Sequence, residues 1–101
     1  MANTPKAMFR GAATTTLTTT LYTVPSATTA VVTNIIVSNT ASTDGTFDLA
    51  LDGVKIAAGT KVPANGQVTF DIKQVLATTK TITGGASATT VNFNISGMEI
   101  A

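Results

Sequence analysis

Ala30-Val31-Val32-Thr33-Asn34-Ile35-Ile36-Val37-Ser38-Asn39 is the longest apolar run in the chain, and its reading decides the fold. Its β-branched residues stiffen the backbone toward extended structure. In a strand, successive side chains point to opposite faces, so Val31, Thr33, Ile35 and Val37 share one side, and Val32, Asn34, Ile36 and Ser38 the other. The first side reads as core. The second is half apolar, and one domain of 101 residues offers no clear cover for Val32 and Ile36. The run is therefore expected to be two-sided, with core in front and a subunit contact behind.

Working outward, Phe47, Leu49 and Leu51 alternate with Asp48, Ala50 and Asp52, the pattern of a half-buried strand. Asp52-Gly53 suits a two-residue hairpin turn, in which both central residues take positive φ, so Val54 to Ala57 should pair back. Pro63-Ala64-Asn65-Gly66 predicts a second turn with Gly66 in the left-handed position, followed by a strand presenting Val68, Phe70 and Ile72. Upstream, Leu17 to Val24 predicts a strand with Leu17, Leu21 and Val24 inward and Tyr22 at an edge or rim. Asp71 to Ala77 is the only place that suits a helical turn, capped by Asp71 with Val75 and Leu76 inward. Thr79 to Thr83 returns to strand around Ile82. In the last strand Val91, Phe93 and Ile95 are inward. The apolar phase then shifts to Met98 and Ile100 at Gly97, which predicts either a β-bulge or a pair of residues turned toward a partner.

Short extended runs with turn signals about every ten residues, and no long amphipathic helix, predict an all-β fold. We expect a single antiparallel β-sandwich over residues 12–101, jelly-roll-like or otherwise Greek key. Residues 1–11 read as an extended N-terminal arm, because Pro5 discourages regular structure and nothing large needs burial before Met8 and Phe9.

Composition limits the function. Charged residues are 11% of the chain, against about 25% for an ordinary soluble domain. A net charge of +1 gives no field to steer nucleic acid or an anionic membrane, and the four phenylalanines fall mostly at core positions rather than on a basic stripe. Neither partner is expected. Without cysteine or histidine there is no disulfide, no thiolate metal site and no Ser-His-Asp arrangement. Asp48 and Asp52 on one extended strand would stand about 13 Å apart, too far for a glycosidase pair. Asp44, Asp48 and Asp52 recur every four residues, which fails the alternate-residue ligand pattern of a calcium loop. We therefore expect no enzyme, catalytic residue, metal site or cofactor. No apolar stretch follows the basic residues near the start, so neither a signal peptide nor a membrane span is expected, and the chain reads as made in the cytoplasm. Low charge, the two-sided run and the apolar arm all point to association with other chains.

Phe9-Arg10-Gly11-Ala12, Leu21-Tyr22-Thr23-Val24-Pro25, Ala30-Val31-Val32-Thr33-Asn34-Ile35, Pro63-Ala64-Asn65-Gly66 and Val91-Asn92-Phe93-Asn94-Ile95-Ser96-Gly97-Met98-Glu99-Ile100 carry a resemblance over nearly the whole chain. They resemble small all-β structural proteins of tailed bacteriophages. The resemblance implies a virion protein, first a capsid decoration or cement protein, commonly a homotrimer, and otherwise a tail, baseplate or fibre component. Its implied partners are copies of itself and the major capsid protein or another virion protein. On this reading Lys6, Met8, Phe9 and Arg10 would contact a neighbouring capsid subunit. Val32, Ile36, Met98 and Ile100 would form the subunit interface.

Overall fold

The apolar run forms β3 (Thr29–Asn39), a strand bonded on both sides in a computed structural model that describes residues 3–101. Met1 and Ala2, the start of the expected arm, lie outside the described residues. The other strands are β1 (Asn3–Ala12), β2 (Thr19–Thr23), β4 (Gly45–Leu51), β5 (Val54–Val62), β6 (Gln67–Phe70), β7 (Gln74–Leu76), β8 (Thr81–Ala86) and β9 (Val91–Ile100). They build two antiparallel sheets. One runs β1-β9-β3-β6, with β7 also paired to β3, and the other runs β2-β8-β4-β5.

The pairings β1 with β9, β2 with β8, β3 with β6 and β7, and β4 with β5 make one long antiparallel hairpin. That hairpin is rolled up, so that β3 also bonds β9 and β4 also bonds β8. This is a jelly roll. Its tip is the β4–β5 turn, where Asp52 and Gly53 both take positive φ as the dipeptide predicts. In the Pro63–Gly66 turn the left-handed residue is Asn65 rather than Gly66, since asparagine also tolerates that conformation.

The core lies between the sheets. All four phenylalanines take part, in edge-to-face steps of 6.4 Å from Phe9 to Phe93 and 6.1 Å from Phe93 to Phe47 and from Phe47 to Phe70. Each such pair adds about 0.5–1.5 kcal/mol beyond its area burial. Buried Asn39 ties down the following loop, donating from Nδ2 to the Thr43 carbonyl at 2.8 Å and accepting from the Ala41 N–H at 3.0 Å.

Two bulges at one level decide which residues face inward. Along β3 and β9 the pairing passes from Val32 with Gly97 to Asn34 with Ser96, leaving Thr33 without a partner on β9. Along β1 it passes from Ala7 with Ser96 to Phe9 with Ile95, leaving Met8 as the extra residue. An extra residue reverses strand parity beyond it. Ala30 and Val32 therefore share the core side with Ile35 and Val37, while Val31 turns outward. This corrects the sequence-based faces of the central run, because an apolar run with both parities filled hides a bulge.

β9 itself keeps its pleat unbroken. Gly97 and Glu99 continue the inward series of Val91, Phe93 and Ile95, and Met98 and Ile100 lie on the outer side. The side chain of Met8 occupies the space that Gly97 leaves empty, so a Cβ there would overlap both Met8 and the Val31 carbonyl oxygen. The apolar shift at Gly97 thus reflects bulges in both neighbours of β9.

Three further expectations are corrected. Residues 74–76 form β7 rather than a helical turn, with Leu76 buried against the core and Val75 68% exposed. Pairing to β3 outweighs the weak capping signal of Asp71. Leu17 precedes its strand and is exposed in a turn that crosses over Gly85. Tyr22, expected at a rim, is buried between the sheets.

Candidate interaction surface

The register aligns the outward residues of the first sheet into cross-strand rows. Pro5 pairs with Met98, Met98 with Val31, and Val31 with Val75, so an apolar band runs across β1, β9, β3 and β7. Directly opposed residues stand about 4.5–5.5 Å apart and lie on the same face, so the band is continuous. Ile100, opposite Asn3 and Thr29, lies beside it. Nearer the other end, Arg10, Asn94, Ile36 and Thr69 form a second row, in which Arg10 Nε donates to Asn94 Oδ1 at 3.1 Å. Arg10 is the one charged residue at an outward strand position of this sheet among the described residues.

The second sheet differs. Its outer side and its turns carry the ion pairs Lys55–Asp48 at 2.6 Å, Lys61–Asp44 at 2.9 Å and Lys80–Asp52 at 3.7 Å. Asp48 is nearly buried; it accepts from Lys55 Nζ and, at 2.8 Å, from the Gly59 N–H, where Gly59 takes φ +58° in bulged β5. Those two hydrogen bonds, the lysine's being the stronger, hold its carboxyl below the usual range. Asp44 is likewise lowered, by Lys61 first and then the Ala64 N–H. β5 is an edge strand, and its bulges and lysines oppose pairing with another edge.

Glu99 points between the sheets and accepts a hydrogen bond from the Tyr22 hydroxyl. Burial, then that bond, then the nearby carboxylate charge raise the tyrosine above its ordinary value. The pair latches the end of β9 to the second sheet. Among the described residues no three acidic side chains converge as metal ligands would, and no pocket opens.

The residues expected at functional contacts divide into two groups. Lys6 and Arg10 are exposed on β1. Met8 is buried, and Phe9 is half-buried against Phe93, so neither is a free anchor. The described part of the arm, residues 3–11, is extended as expected, but it is an edge strand bonded along its length to β9. Val32 is fully buried in the core and cannot reach another subunit. Ile36, Met98 and Ile100 remain half-exposed on the outer face. Sequence reasoning missed Pro5, Val31 and Val75, whose alignment with Met98 depends on the register. No protein-family model matches the chain, and no curated protein matches it significantly.

Proposed function

We propose that this chain is a structural protein of a tailed-bacteriophage virion, a capsid decoration or cement protein that associates with its own copies and clamps neighbouring capsid subunits. The observation that carries this reading is the outer face of the first sheet, which has one charge at its described outward strand positions and an apolar band across four strands. A protein whose task is to cover other chains needs such a face on a rigid scaffold. The resemblance in the strand and turn motifs supplies the virion context.

Contact with the capsid then falls to the exposed Lys6 and Arg10, while Met8 and Phe9 hold β1 to the core. Removing residues 1–10 would strip an edge strand from the core, so charge reversal is the cleaner perturbation. Lys6→Glu with Arg10→Glu should fold normally and load poorly onto capsids; undiminished loading would remove these residues from the account. Copy number in purified particles tests the proposal itself. Hundreds of copies support capsid decoration, a few dozen or fewer place the chain in the tail, baseplate or fibre, and its absence from particles refutes a virion role.

A further inference from the structure

We infer that the outer face of the first sheet seats a second copy of this chain, packed face to face about a twofold axis running along the strands between β9 and β3. The inference uses the same outer face as the proposed function and leaves Arg10, on edge strand β1, at the rim of the pair; it does not depend on the virion context, because it concerns the purified chain alone. Three observations lead to it.

The first is area. Four strand widths of about 4.8 Å and ten residues at about 3.4 Å each give a footprint of about 650 Å², close to the roughly 800 Å² per partner of a standard stable interface. The sheet face by itself is large enough, and two sheets stack face to face with their strands within about 30°.

The second is self-complementarity. The Pro5–Met98–Val31–Val75 band spans the sheet from edge to edge. A twofold along the strands maps it onto itself reversed, so that Met98 of each copy meets Val31 of the other and Pro5 meets Val75. Apolar groups then cover apolar groups along the whole band. A threefold would need two different patches that fit each other, whereas this band is its own complement. A twofold pair therefore replaces the trimer that the resemblance implies.

The third is charge. Interface cores are depleted in charge; among the described residues Arg10 alone is charged at the outward strand positions of this face, and the exposed Asp71 and Lys73 lie at its margin, in the link between β6 and β7. The same twofold sets Arg10 opposite Thr69 of the other copy, with the two arginines at opposite edges, about 14 Å apart across three strand spacings. Like charges do not meet.

Sedimentation of the purified chain at micromolar concentration tests this, with a mass of two 10.2 kDa chains expected. Met98→Lys and Val31→Glu alter outer-face positions, and each alone should give a folded monomer by circular dichroism. Mixed in equal amounts they should restore the dimer, because each mixed pair sets the new lysine against the new glutamate and leaves Val31 against Met98 on the other side. Thr83→Lys, on the outer side of the second sheet, should leave the dimer intact. A monomeric or trimeric wild-type chain would overturn the proposal. So would variants that stay dimeric alone, or monomeric variants whose mixture does not pair.

Discussion

Replacing Val32 by alanine should destabilise the fold far more than the same change at Val31 next to it. Val32 is fully buried, Val31 half-buried on the outer face. Removing two buried methyl groups forfeits about 1.6 kcal/mol of transfer free energy at roughly 0.8 kcal/mol each. A residual cavity of about 40 Å³ adds about 1 kcal/mol at roughly 24 cal/mol per Å³. The sum, about 2.5 kcal/mol, corresponds to a fall in Tm of roughly 10–20 °C for a domain of this size. At Val31, where water already reaches the side chain, the loss should stay below about 1 kcal/mol. Urea denaturation followed by circular dichroism reads both values. It should be run at high dilution, so that the proposed pairing contributes nothing, and with unchanged m-values, so that midpoints report stability. The order of the two depends on the extra residue at Thr33, which reverses the parity of β3. If Val31→Ala costs as much as Val32→Ala or more, the bulge is absent and the assignment of core and outer faces fails.

Gly97→Ala should cost about 1–3 kcal/mol or more as overpacking, and Met8→Ala should relieve it only in part, because the Val31 carbonyl oxygen also occupies the site; full rescue in thermal melts would show that the backbone contact is unimportant. Asp48→Asn keeps an acceptor for the Gly59 N–H and loses the ion pair with Lys55, which is exposed to solvent screening, so the loss at neutral pH should be no more than about 1 kcal/mol. Because the folded-state carboxyl is lowered, the wild-type advantage should be present above pH ~4 and vanish as pH falls through the lowered value; an advantage that persists in strong acid would contradict the pairing. Tyr22→Phe should cost about 1.5–3 kcal/mol by removing a hydrogen bond to a carboxylate, measured by urea melts. With Tyr22 raised, its stabilisation is complete below pH ~10 and is lost as pH rises above that, so absorbance titration should show it ionising later than a free tyrosine, and ordinary titration would deny the latch.

The sequence by itself determined the all-β class, the Asp52-Gly53 turn, and the inward series Phe47, Leu49, Leu51 and Val91, Phe93, Ile95. Each is a local matter, since two-residue alternation and turn dihedrals are properties of short segments. Only the tertiary structure decided which side of β3 is core. In an apolar run either parity can face inward, and the choice is made by an unpaired residue opposite another strand more than sixty residues away. The same holds for residues 3–12, whose extended backbone was legible while their pairing with β9 was not. The apolar band is likewise a product of register, for Pro5, Val31, Val75 and Met98 become neighbours only when four strands are aligned. Strand pairing joins residues by hydrogen bonds whose donors and acceptors are identical along every backbone, so sequence names the strands and the packed core chooses their partners.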